Sequence, residues 1–172
     1  VDLDGEAAER TAAEVGGEAR RCDVSDWASV DALAASLERC DVLVNNAGIW
    51  HFHSLLETTP EKVAAVLGVN VVGVLICSRA LAPKMIAAGG GSIVNLASAA
   101  AWTNSPGTGI YPATKAAVIS LTKQMAIEWG EHGIRANAVG PGLIRTEGTA
   151  ERHAGGQSES RAKNIPLRRV RS

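Results

Sequence analysis

The chain has 172 residues, 46% hydrophobic and 20% charged, with 17 basic against 18 acidic side chains and a formal net charge of −1. That is enough apolar material for a single α/β domain over 1–172, and the near-neutral balance excludes partners recruited by bulk charge, nucleic acid and anionic membrane alike. Cys22, Cys40 and Cys77 have no Cys-x-x-Cys spacing, so they read as small apolar residues of a reducing, cytoplasmic compartment rather than as metal or disulfide sites.

In chain order, residues 1–3 read as the end of a strand. Asp4 caps a helix over 5–15, with Ala8, Thr11, Ala12 and Val15 as its inward stripe and Gly16-Gly17 as its stop. Residues 19–22 form a short strand, and Ser25 caps a second helix whose inner face is Val30, Leu33, Ala34 and Leu37. The run Asp41-Val-Leu-Val-Asn-Asn-Ala-Gly48 is a parallel strand buried on both faces that ends in a tight polar turn. Thr59-Pro60 joins an N-cap to a proline at the first helical position and opens a long helix to about residue 85.

The middle of that helix, 63–76, is apolar nearly all round. It falls short of the roughly 20 residues of a bilayer span and carries Asn70 at its centre, so burial on two sides is expected instead. A strand over 92–97, a helix over 111–129 and a strand over 134–139 complete the pattern. This β-α alternation predicts a parallel sheet with helices on both faces and ligands at the carboxyl ends of the strands.

Tyr111 is the only tyrosine, and Lys115 follows it in Tyr111-Pro-Ala-Thr-Lys115. Residues i and i+4 share a helix face, which sets the ammonium beside the phenol. A neighbouring cation favours phenolate, and moving a phenol from a pKa of about 10 to neutrality needs roughly 4 kcal/mol of differential stabilisation. Such a hydroxyl can exchange a proton with a carbonyl or alcohol oxygen, and Ser98, at the end of an apolar run, can hold the same oxygen.

With Asp41–Gly48 and the segment Arg135-Ala-Asn-Ala-Val-Gly-Pro-Gly142 added, the chain resembles the short-chain dehydrogenase/reductase family over essentially its whole length. The resemblance implies a Rossmann-like doubly wound sheet and hydride transfer between a nicotinamide dinucleotide and a secondary alcohol or ketone. Asn70, Ser98, Tyr111 and Lys115 match its catalytic set. Asp2 matches the acidic residue that receives the adenosine ribose hydroxyls, with Asp4 as the competing position. A carboxylate there repels a 2′-phosphate, so NAD is expected over NADP.

Asp23 and Val24 match an adenine contact, or else simply form the turn into a helix. Asn45, Ala47 and Gly48 match the ribose-side turn, and Lys115 binds the nicotinamide ribose. Pro141, Gly142, Ile144 and Thr146 match the segment beside the nicotinamide. Asn70 either supports a water chain to Lys115 or is a satisfied structural amide. A homotetramer or homodimer is expected, with one face of the long helix on a partner subunit.

His51 and His53 lack the further ligands a zinc site needs, so no metal is expected. Their loop, with Trp50, Phe52 and Trp102, borders the substrate, and the polar stretch 147–164 reads as a lid. The glycine-rich turn that opens a dinucleotide fold is absent, and the sheet is expected to lack its first and last strands. The chain therefore reads as an internal fragment that folds and binds cofactor poorly alone. Two other readings stay open, a catalytically silent dinucleotide sensor and an inactive piece.

Overall fold

Three parallel strands, β1 (Val42–Asn45), β2 (Gly91–Leu96) and β3 (Ile134–Val139), pair in the order β1-β2-β3 in the computed structural model, which describes residues 1–144. Val44 sits opposite Val94, and Val94 opposite Asn137. The arrangement is the expected parallel α/β one. The chain divides into two units, Val1–Gly140 and Pro141–Ser172, and everything that follows concerns the first unless stated.

Helix α1 (Gly5–Val15) begins where the Asp4 carboxylate accepts the N–H groups of Glu6 and Ala7 and ends at Gly16 in the left-handed region, φ 68°. Its stripe is less buried than expected: Ala8 is 6% exposed, but Val15 is 74% exposed and Thr11 also faces solvent. In α2 (Trp27–Ala35) the cap is Asp26, not Ser25. The Ser25 hydroxyl is already committed to Asp23 at 2.7 Å, so the next residue's carboxylate takes the free N–H groups of Ala28 and Ser29. The strands expected at 1–3 and 19–22 reduce to a single parallel bridge between Asp2 and Arg21, closed by the Cys22 N–H donating to the Asp2 carbonyl at 2.9 Å.

Thr59 and Pro60 start the long helix as expected. It runs through α3 (Pro60–Leu67), a π-helical stretch Gly68–Gly73 and α4 (Val74–Ala87) as one rod of 28 residues. By length and composition that rod could cross a bilayer, so the argument from shortness does not hold. One side of it packs into the core, with Val66, Asn70, Ile76 and Met85 each at most 1% exposed, while Leu67 and Leu75 are 40% and 39% exposed.

Cys22, Val30, Ile76 and Cys77 pack between α2, α4 and β1, and Ala82, Met85, Ile93 and Ile134 seat α4 on the sheet. Val74, Ala97, Val118 and Met125 join α4 to α5 (Tyr111–Trp129). Period-two alternation sends Leu43 and Asn45 of β1 toward α4, while Val42 and Val44 on the opposite face are 60% and 54% exposed. The strand expected to be buried on both faces is thus covered on one.

A buried polar ladder ties these layers. Asn45 Nδ2 donates to Ser78 Oγ at 3.0 Å and to Asn95 Oδ1 at 2.8 Å. Asn95 Nδ2 donates to Thr122 Oγ1 at 2.9 Å, and the Thr122 hydroxyl donates to the Val118 carbonyl. Asn45 Nδ2, both polar atoms of the Asn95 side chain and the Thr122 hydroxyl are paired, which lowers the cost of burying them.

Candidate active site

Strand β2 ends at Leu96, and after it Ser98 opens one 3₁₀ turn, Ala99–Ala101, by accepting the Ala100 N–H at 3.2 Å. Helix α5 begins at Tyr111 with Pro112 in its first turn, where a missing N–H costs nothing. One turn on, Lys115 is 4% exposed, and its Nζ donates to the Leu96 carbonyl at 2.6 Å. The same ammonium lies 5.8 Å from the centre of the Tyr111 ring. Burial draws the Lys115 amine below its usual value of 10.5. The cation is therefore clamped between the strand leading into Ser98 and the face of the phenol.

Asn70 reaches the same place from the π-helical stretch. Its Oδ1 accepts the Ile49 N–H at 2.8 Å, and its Nδ2 donates to the Ile49 carbonyl at 2.8 Å and to Thr114 Oγ1 at 3.2 Å. At 0% exposure its side chain makes all three of these bonds within the protein. A Cβ built on Gly48 would lie 3.5 Å from both Asn70 Oδ1 and Lys115 Nζ, so the turn after β1, the long helix and α5 converge there.

A cavity of about 530 Å³ runs from that point along the whole of β1; Asp2, Asp23, Val24, Asn45, Ala47 and Gly48 are part of its lining, and most of the rest is apolar, including Leu3, Val30, Leu33, Val42 and Val44. The six residues expected at the adenosine end thus share one surface. Asp4 spends its carboxylate on the α1 cap, which leaves Asp2 and Asp23 as the acidic residues of this groove, although one Asp2 oxygen accepts the Asp4 N–H at 3.0 Å. The Asp23 carboxylate accepts from Ser25 Oγ and Ser25 N–H, and these bonds, the hydroxyl first, hold its pKa below the usual carboxylate value. Asp23 is thus both a groove residue and the builder of the turn into α2. Asn45 points its side chain into the interior ladder, so it meets the groove through its backbone.

The loop after β1 supplies aromatic groups. Trp50 and Phe52 have ring centres 6.2 Å apart, and Phe52 meets Tyr111 edge-on at 6.2 Å. His53 Nε2 is 3.1 Å from Thr58 Oγ1. Trp102 lies over Gly140, where an added Cβ would come within 2.7 Å of its ring. Pro141, Gly142 and Ile144 belong to the second unit. Thr146, His153 and the stretch 147–164 lie outside the described residues. The sequence does not single out Thr114 or Asn95, because the partners that give them their roles, Asn70 and Asn45, lie 44 and 50 residues away.

A nicotinamide dinucleotide fits this donor set. Asp2 offers an acceptor for ribose hydroxyls, Ala47 and Gly48 permit close backbone approach, and Lys115 retains ammonium protons beyond the one given to Leu96.

A family described as enoyl-(acyl carrier protein) reductase matches residues 1–172. The D-threitol dehydrogenase of Mycolicibacterium smegmatis is 38% identical over 178 residues, 98% of this chain and 68% of that protein. The sorbitol dehydrogenase of Cereibacter sphaeroides is 42% identical over 154 residues, 86% of this chain but 60% of its own length. A gluconate 5-dehydrogenase from Burkholderia cenocepacia, solved with NADP and tartrate, superposes with a TM-score of 0.86 at 35% identity, covering 96% of this chain and 68% of that one. An NAD+-bound xylitol dehydrogenase gives 0.88 at 30% identity, covering 99% of this chain and 75% of the other. This chain belongs to the short-chain dehydrogenase/reductase family of NAD(P)-dependent oxidoreductases.

Proposed function

We propose that the chain interconverts a secondary alcohol and its ketone, with Tyr111 as the general acid and base and NAD(H) as the preferred redox partner. The observation that carries this reading is the buried Lys115 ammonium, fixed to Leu96 at 2.6 Å and 5.8 Å from the only phenol in the chain. When bound, the dinucleotide accepts or supplies the hydride. Tyr111 takes the alcohol proton in one direction and returns it in the other. Lys115 sets its ammonium beside the phenol and has further N–H donors for the ribose hydroxyls. Ser98 Oγ accepts from Ala100, which leaves its own proton to donate to the substrate oxygen.

Asp2 supports NAD over NADP, because its carboxylate lines the groove where a 2′-phosphate would have to sit. The Trp50–Phe52–Tyr111 run supports a substrate with an apolar flank. The names of the threitol, sorbitol and xylitol relatives support a hydroxyl within a carbon chain. Exposed Leu67 and Leu75 on the long helix and Ile127 on α5 support assembly as a homodimer or homotetramer. The test is NADH formation from NAD over a panel of secondary alcohols and polyols. Turnover with at least one of them is expected, and silence across the panel rejects the reading.

A further inference from the structure

We infer that Thr114 is a positioning residue for the proton-transfer step, the link through which the turn at Ile49 and the π-helical stretch fix the first turn of α5. The inference rests on the proposed role of Tyr111 and goes beyond it. Thr114 is 1% exposed and sits between Tyr111 and Lys115 on the sequence, yet its hydroxyl touches neither reacting group. It donates to the Tyr111 carbonyl at 2.7 Å and accepts from Asn70 Nδ2 at 3.2 Å. A threonine bonding back to the carbonyl three residues earlier is ordinary in helices. The incoming bond from Asn70 is not, because it crosses between helices and spans 44 residues.

The polarity of this link is set by its far end. Ile49 presents both an N–H and a carbonyl to Asn70, so the amide has one orientation that satisfies both. That orientation aims an N–H at Thr114, whose single hydroxyl proton must then go to Tyr111. A flipped amide would face the Ile49 carbonyl with oxygen and the Ile49 N–H with nitrogen. The three residues therefore have a single arrangement, and it holds the residue carrying the phenol at its own backbone. Loss of the Thr114 oxygen strands a buried N–H of Asn70, and the nearest relief is a shift of the long helix or of α5. A shift of α5 moves Tyr111 and Lys115 relative to Ser98 and to the Leu96 carbonyl at the end of β2.

Thr114→Val keeps the shape and removes the oxygen; Thr114→Ser keeps the oxygen and removes a methyl. On an alcohol that the parent turns over, Thr114→Val is expected to lower kcat about tenfold, a barrier change of about 1.4 kcal/mol, with KM moved less than about twofold. Thr114→Ser is expected to restore kcat to within about twofold. In an Asn70→Ala background Thr114→Val should add almost nothing, since the link is already cut. Thr114→Ala serves in place of the valine variant if that one does not fold.

A second readout needs no turnover. Exchange of the backbone amides at 111–115 reports the first turn of α5, and it is expected to speed up about tenfold or more in Thr114→Val and to return in Thr114→Ser. A Thr114→Val protein with parental kcat and parental amide exchange overturns the inference. If the parent turns over no alcohol, the proposed function fails while amide exchange at 111–115 still decides the role of Thr114.

Discussion

Lys115 Nζ reaches back to the Leu96 carbonyl across 2.6 Å, so a charge on the first turn of α5 is tethered to the end of β2. The bond offsets part of the burial cost, but the amine is still drawn below 10.5, with burial as the cause. The sign of the pH effect follows. Between the lowered folded value and 10.5 the unfolded chain holds the extra proton, so Lys115 makes stability rise with pH inside that window and contributes no slope below it. Lys115→Met should flatten that rise, seen as melting temperature against pH up to about 10.5. A slope identical in parent and variant would mean that the amine is not desolvated.

Tyr111→Phe removes only the hydroxyl, and the edge-on contact with Phe52 at 6.2 Å survives the change. Melting should shift little. General acid-base catalysis typically contributes about 10² to 10⁴ in rate, and a loss at the upper end of that range is expected in kcat. Near-parental turnover would defeat the assignment of the phenol as acid and base.

Much of this fold was legible before any coordinates, and the limits have physical causes. Thr59-Pro60 and Asp4 announced their helix starts because caps are local chemistry, and α5 and β3 fell where periodicity placed them. Ser25 failed as a cap because two adjacent residues could both serve, and only the turn at Asp23 decided between them. The face of β1 bearing Val42 and Val44 was misjudged because an apolar run does not say which side a helix covers. Asn70 drew notice as a polar residue in an apolar helix, yet its partners lie 21 and 44 residues away and no local pattern names them. Gly48, Lys115 and Asp2 are expected from motifs, whereas Thr114 and the Asn45–Asn95–Thr122 ladder emerge only when the helices are packed.

Cys77 lies in the interior beside Cys22, and burial, with a smaller contribution from that neighbour, pushes its thiol from 9.0 up to about 11. A raised folded value means stability fully present below pH 9 and lost as pH climbs through about 11, the opposite sign to Lys115. Cys77→Ala should therefore lower stability at neutral pH through lost packing but show a shallower alkaline decline. Urea midpoints at neutral and alkaline pH separate the two effects, and parallel decline in both proteins would contradict the burial argument.

Asp2 lines the groove with its carboxylate partly engaged by the Asp4 N–H. On the proposed reading, replacing it by alanine removes both a ribose acceptor and a charge that repels a 2′-phosphate. The ratio of kcat/KM for NAD over NADP should fall by about tenfold or more, the equivalent of one lost charged hydrogen bond at roughly 1.5 to 3 kcal/mol. An unchanged ratio in Asp2→Ala would place cofactor selection elsewhere in the protein.

Asn95 is 0% exposed and stands between Asn45 and Thr122, giving one bond and receiving one. Asn95→Leu conserves volume but strands one N–H of Asn45, whose other bond goes to Ser78. A buried donor left alone costs about 1 to 3 kcal/mol, and a loss in that range is expected from urea melting. Thr122→Val should cost less, because Asn95 Nδ2 keeps a weak contact with Met125 Sδ at 3.7 Å. The Asn45→Leu, Asn95→Leu double variant should then be less destabilised than the two single losses added together, because its second change deletes the donor that the first had stranded. Strict additivity would show that the amides act independently, and the ladder would then be a coincidence of packing rather than a coupled tie between the sheet and α5.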